Sequence, residues 1–70
     1  MTAFNLDTTA AQVLAWMIKH NPGKTEAELA RLMYGNNGYQ QQVNGDARFL
    51  EREGIIKRLS EDGINRLYRV

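Results

Sequence analysis

The sequence predicts an α+β domain in which three helices precede a two-stranded β-hairpin. Three observations support this: apolar residues recur at helical spacing as far as Leu50, Gly54 interrupts that pattern, and apolar and polar residues alternate after it. Seventy residues are expected to form one domain, with residues 1–7 as a short N-terminal tail. Phe4 and Leu6 either belong to a tail that folds back or form a short first strand.

The first helix is predicted over residues 9–20. Thr9 and Gln12 fit a capping box, in which each side chain satisfies a free backbone N–H group. The expected apolar stripe consists of Ala10, Val13, Leu14, Met17 and Ile18. Trp16 lies at the edge of this stripe, and we expect it to be half-buried against the tail or the hairpin. A dimer contact is the alternative.

The second helix is predicted over residues 26–34, because Thr25 and Glu28 form another capping box. Its apolar residues Leu29, Ala30 and Met33 are expected to point inward, with Leu32 as a further candidate.

The third helix is predicted over residues 39–53. Val43, Ala47 and Leu50 are spaced by four and then three residues, which places them on one buried face. Gly54 is suited to the position just past the helix, where the chain takes a left-handed conformation without steric cost only at glycine. Gly45 lies inside the helix and costs roughly 1 kcal/mol relative to alanine. Its presence suggests close approach by either a neighbouring helix or a DNA backbone.

The hairpin is predicted from a strand at residues 55–59, a four-residue turn at 60–63 and a returning strand at 64–70. Arg66 and Arg69 then fall on opposite faces of the second strand. A hairpin alone is marginally stable in water, so this one is expected to pack on the helices.

Composition excludes several classes of function. The chain has no cysteine and one histidine, His20, so neither a thiolate nor a His-cluster metal site is expected. No residues form a recognisable catalytic set, and we expect neither an enzyme nor a cofactor. No apolar run approaches the roughly 18–20 residues that span a bilayer, and the signal-peptide pattern is missing, so a cytoplasmic protein without membrane contact is expected. The net charge of +1 argues mildly against strong nonspecific nucleic-acid binding.

Three stretches follow a common pattern in this order. The first is Thr25–Ala30, with the form T-x-x-E-L-A. The second is V-x-x-x-[LVA]-x-x-L-E-x-x-G-[LI]-[VI], formed here by Val43, Ala47, Leu50, Glu51, Gly54, Ile55 and Ile56. The third is Leu67–Val70. Together they resemble the winged helix-turn-helix domain of bacterial MarR-like regulators, over residues 9–70.

The resemblance implies a small DNA-binding protein, a transcriptional regulator whose third helix enters the major groove of double-stranded DNA while the hairpin, or wing, contacts the backbone. The base-reading residues it implies are Tyr39, Gln40, Gln41, Asn44 and Arg48. The phosphate contacts it implies are Lys24, Thr25, Lys57, Arg58 and Arg66. Glutamine and asparagine amides can pair bidentately with adenine.

Two departures from the family pattern stand out. The link between Met33 and Val43 is about three residues longer than the compact family turn, and the wing tip carries acids that repel phosphate. The glutamine run at 40–42 could equally be a solvated helix start, and Arg48 could pair with Glu51.

A second class of function stays open, namely a protein–protein adaptor that uses the third helix or the surface around Trp16 and Phe49. For Phe49 itself a place in the core is favoured. Under the DNA-binding hypothesis, weak binding by a monomer implies that a homodimer or a protein partner supplies useful specificity.

Overall fold

The computed structural model describes residues 9–70, except for the side chain of residue 37. Within this range three α-helices are followed by an antiparallel hairpin, which confirms the predicted fold class. The elements are α1 (Thr9–His20), α2 (Glu26–Tyr34), a 3₁₀ turn (Asn37–Tyr39), α3 (Gln40–Arg52), β1 (Ile56–Glu61) and β2 (Ile64–Arg69). The predicted tail lies outside the described residues, as do Phe4 and Leu6.

One hydrophobic core joins the helices to the hairpin. Its largest fully buried side chains are Leu14, Ile18, Leu29, Val43, Leu50, Ile56 and Leu67. The predicted inner face of α3 is therefore correct, with Ala47 buried beside Val43 and Leu50. The hairpin gains its stability from the helices, since Ile56 and Leu67 enter their core. Phe49 packs partly buried against the same core, as favoured.

The predicted apolar stripe of α1 is partly wrong. Leu14 and Ile18 are buried, but the other buried positions are Ala11 and Ala15. Val13 is 41% exposed. The stripe is rotated because two alanines let α1 approach its neighbours closely, whereas the prediction favoured larger side chains. Ala10 and Met17 are consequently only half-buried.

Trp16 is also placed differently from the prediction of a half-buried residue. It is 57% exposed. Its ring lies against the ring of His20, with the two centroids 4.3 Å apart. On α2, Leu29 and Ala30 are buried and Met33 packs partly buried on the core, while Leu32 is exposed.

Local hydrogen bonds fix the ends of α2 and α3. At the start of α2 the Thr25 backbone N–H donates to Glu28 Oε1 at 2.9 Å, and the Glu28 N–H donates to Thr25 Oγ1 at 3.1 Å. This is the predicted capping box. At the end of α3 the Gly54 N–H donates to Glu51 O at 3.0 Å, and the Ile55 N–H donates to Leu50 O at 2.9 Å. Gly54 has φ +77°, so it completes a Schellman motif at the predicted position.

The long link between α2 and α3 is folded compactly. The Gly35 N–H donates to Arg31 O at 2.8 Å and closes α2, and Asn36 Oδ1 accepts from the Gly38 N–H at 2.7 Å. The Tyr34 and Tyr39 rings then pack together, with centroids 4.6 Å apart. Tyr39 belongs to the 3₁₀ turn, so α3 begins one residue later than predicted.

The wing ends in a tighter turn than predicted. β1 continues to Glu61, and only Asp62 and Gly63 connect the strands. Both have positive φ, 54° and 75°, as a two-residue type I′ hairpin requires. The other end of the wing is anchored to the α1–α2 loop, because Leu67 exchanges backbone hydrogen bonds with Gly23 and Lys24, each of 3.0 Å.

Candidate nucleic-acid interface

The outer face of α3 groups three of the five predicted base-reading residues. Gln41, Asn44, Gly45 and Arg48 together line a shallow groove. Their spacing of three and four residues places them on one side of the helix, away from the buried face. Gln41 and Arg48 are exposed, and Asn44 is half-buried. The groove therefore presents amide and guanidinium groups to the solvent.

Gly45 lies in this groove without a neighbour. A Cβ atom added there would meet nothing within 4 Å. No helix of the described chain approaches it, so packing against such a helix does not explain the glycine. What the glycine does instead is leave the backbone of α3 uncovered on its outer face.

The other two predicted base-reading residues lie at the start of α3. Tyr39 is 49% exposed, although its ring packs on Tyr34. Gln40 is half-buried. Gln42 was not in the predicted set, and its Nε2 donates to the Tyr34 hydroxyl at 3.1 Å, which turns its side chain toward α2.

Asn44 is held by a carboxylate that sequence reasoning missed. With its amide nitrogen turned inward, Nδ2 donates to Glu26 Oε1 at 2.8 Å and to Gln40 O at 3.0 Å. The opposite orientation would set the amide oxygen against these two acceptors, so the hydrogen-bond network selects the first. The sequence identifies Glu26 only as an acidic residue in the first turn of α2, where its charge interacts favourably with the helix dipole.

Arg58 forms a clamp between the wing and two helices. Its Nη1 lies 2.8 Å from Glu26 Oε2, and its Nε lies 3.3 Å from Glu51 Oε1. Burial alone would lower the guanidinium pKa, but hydrogen bonds and charge from Glu26 and Glu51 outweigh it and raise the pKa above its ordinary value. Glu51 thus pairs with Arg58, and no ion pair joins it to Arg48 in the described chain.

Arg66 lies on the outer face of the wing and holds the acidic tip. It donates to Gly23 O at 3.0 Å and to Asp62 Oδ2 at 3.2 Å, and its Nε lies 3.8 Å from Glu61 Oε1. Tyr68 also donates to Glu61, at 2.9 Å, and that bond raises the pKa of the tyrosine hydroxyl. The tip acids are therefore partly neutralised from within the wing.

The remaining predicted phosphate contacts are differently placed. Lys57 is exposed on the outer face of the wing, and its side chain forms no hydrogen bond or ion pair with any residue from 9 to 70. Lys24 lines an open groove along α2 with Glu28, Arg31 and Leu32, while its backbone pairs with Leu67. The Thr25 hydroxyl is engaged in the capping box.

Neither a metal site nor a membrane-spanning helix is found in the described part of the chain. Nowhere in it do three His, Cys, Asp or Glu side chains come together as a metal site would require. Its helices are too short or too polar to cross a membrane.

The fold is similar to that of a known regulator. The chain superposes on the crystal structure of the transcriptional regulator SlyA with a TM-score of 0.77 and 21% sequence identity. The likeness covers 90% of this chain and 44% of that one, so this chain spans less than half of the SlyA chain. No protein-family model matches the sequence, and no curated protein matches it either. Three helices, a two-stranded wing and this superposition establish that the chain has the winged helix-turn-helix fold.

Proposed function

We propose that this chain is a DNA-binding transcriptional regulator that reads the major groove with the outer face of α3. One observation carries the proposal: Gln41, Asn44 and Arg48 surround the uncovered backbone at Gly45 in one shallow groove. Amide and guanidinium groups are among the side-chain groups that hydrogen-bond base edges in the major groove. The structural similarity to a protein described as a transcriptional regulator adds support.

The phosphate contacts are proposed to come chiefly from unpaired cations. Lys24 and Lys57 belong to the predicted phosphate contacts and form no ion pair within residues 9–70, whereas Arg58 and Arg66 do. Two phosphate contacts correspond to a slope of about −2 for log affinity against log salt, at roughly −0.9 per contact. Arg58 and Arg66 would then act mainly by holding the wing in place.

A direct test first uses the protein to select preferred binding sites from a random duplex library. Fluorescence anisotropy then measures the affinity for the selected duplex. Gln41→Ala and Arg48→Ala are expected to reduce the preference for the selected site over a scrambled one. Lys57→Ala is expected to weaken binding to both duplexes alike and to reduce the salt slope by about one. Gln42→Ala is the matched control on α3, because its side chain is turned toward Tyr34.

Unchanged affinity in all three variants would overturn the proposal and favour the adaptor alternative. Failure of the library to yield any preferred sequence would count against sequence reading by α3.

The proposal includes a second copy or a protein partner on the same DNA. A single module of this kind buries only about 600–1,000 Å² against DNA, which limits what one copy can discriminate. Val13 and Trp16 leave apolar surface exposed on α1. Sedimentation of the protein with the selected duplex is expected to give two protomers per duplex, and a stable one-to-one complex with full specificity would contradict this.

A further inference from the structure

Both carboxylate oxygens of Glu26 accept hydrogen bonds inside the protein. Oε2 accepts from Arg58 at 2.8 Å, and Oε1 accepts from Asn44 at 2.8 Å. The Glu26 side chain is only 18% exposed. An ionised carboxylate is an acceptor only, so it can hold the Asn44 amide in just one orientation, with the nitrogen facing inward.

The second hydrogen bond of that nitrogen reinforces the orientation. Nδ2 also donates to the backbone oxygen of Gln40, one turn earlier on α3. An amide nitrogen carries two hydrogens, and both are now engaged. Both hydrogen bonds that fix the amide are donated by its nitrogen, so Oδ1 takes no part in holding the side chain. Asn44 nevertheless lines the outer groove, where Oδ1 is the polar atom it has left to offer.

We infer that Glu26 is a positioning residue that makes Asn44 an acceptor-only contact, and that Asn44 reads an exocyclic amino group in the major groove. This inference rests on the proposed function. The bases that present such a group there are adenine, through N6, and cytosine, through N4. Guanine and thymine present only acceptors at the corresponding place. The bidentate adenine contact expected from the sequence also needs an N–H donor to N7, which Asn44 no longer has.

The first test uses the unaltered protein and its selected duplex. The base pair read by Asn44 is identified as the one whose preference Asn44→Ala removes. If that pair contains adenine, replacing the adenine by purine removes the N6 amino group, and replacing it by 7-deazaadenine removes N7 alone. If the pair contains cytosine, replacing the cytosine by 2-pyrimidinone removes the N4 amino group. We expect loss of the amino group to weaken binding roughly three- to tenfold, the effect of one hydrogen bond, and loss of N7 to leave it unchanged.

A second test addresses Glu26 itself. In Glu26→Gln the new amide can either accept or donate, so Asn44 can turn over and present its nitrogen. The base preference at that one position is expected to broaden to include guanine, while preferences elsewhere stay as they were. Gln42→Ala again serves as the control, and thermal unfolding shows whether Glu26→Gln is folded. If it does not fold, the base-analogue test on the unaltered protein still decides.

The outcomes separate the inference from the proposed function. Unchanged binding after removal of the amino group of that base pair overturns the inference alone, as does an equal loss with 7-deazaadenine. So does an Asn44→Ala variant that changes no base preference while Gln41→Ala and Arg48→Ala do. If the protein binds no duplex, the proposed function fails and the inference fails with it.

Discussion

Gly45→Ala is expected to change fold stability and DNA binding in opposite directions. Gly45 lies in the interior of α3, and a methyl group there would meet nothing within 4 Å apart from its chain neighbours and the backbone of its own helix. Alanine in a helix interior is about 1 kcal/mol more favourable than glycine. For a domain of this size that gain raises the melting temperature by roughly 4–8 °C.

The same methyl group is expected to harm binding. If the backbone at Gly45 approaches DNA closely, the methyl group occupies space that the complex needs. Steric overpacking typically costs about 1–3 kcal/mol, which corresponds to a loss of affinity of roughly 5- to 150-fold. Thermal unfolding followed by circular dichroism gives the first quantity, and fluorescence anisotropy with the selected duplex gives the second.

The combination of a higher melting temperature and weaker binding is the expected result. Gln42→Ala, one turn away and facing α2, is expected to leave the affinity unchanged. A Gly45→Ala variant that is more stable and binds as well as the original would refute close approach at this face. A less stable variant would show that the space around Gly45 is not open.

Three further predictions concern the core, the clamp and the capping box. Leu50→Ala is expected to lower the free energy of unfolding by about 2–5 kcal/mol, measured by urea denaturation. That is enough to unfold much of a domain whose total stability is about 3–5 kcal/mol. A loss below about 1 kcal/mol would contradict the buried position of Leu50. Arg58→Ala is expected to lower the free energy of unfolding by about 1–3 kcal/mol, because it leaves Glu26 without its ion pair. Lys57→Ala, at the neighbouring position, should leave stability unchanged. Equal effects of the two substitutions would contradict the clamp. The hydrogen bond from the Thr25 backbone N–H lowers the pKa of Glu28. The stabilising effect of the charged Glu28 side chain is therefore present above about pH 4.5 and disappears as the pH falls through the lowered pKa. Glu28→Gln should therefore show less stability loss on acidification, and identical pH profiles of unfolding would refute this.

The fold was predictable because local sequence signals agree with the tertiary structure. The capping box at Thr25 and the glycine at position 54 mark helix ends by hydrogen bonds between residues only a few positions apart. The inner face of α3 follows directly from helical periodicity. The α1 stripe was misplaced because periodicity does not say whether the core takes alanine or a larger side chain at Ala11 and Ala15. The turn was predicted over four residues because the acidic and small residues from Ser60 onward were all assigned to it. Asp-Gly alone is a two-residue hairpin signal, and the strands pair right up to it.

The candidate site was predictable only where it depends on a single helix. Periodicity alone places Gln41, Asn44 and Arg48 on one side of α3. The engagement of Arg58 was not predictable, because its partner Glu26 lies 32 residues away in the sequence. The orientation of the Asn44 amide depends on the same carboxylate. Contacts between elements decide which polar side chains remain available to a ligand, and sequence spacing within one element does not report them.

The most direct test of the central claim is an amide chemical-shift titration of the labelled protein with a short duplex, at low and then moderate salt. We predict that shift changes concentrate at residues 39–48 and in the wing, and that they weaken as salt rises. The buried face of α1 provides the internal reference and should not respond. Shift changes confined to other surfaces, or none at low salt, would contradict DNA reading by α3.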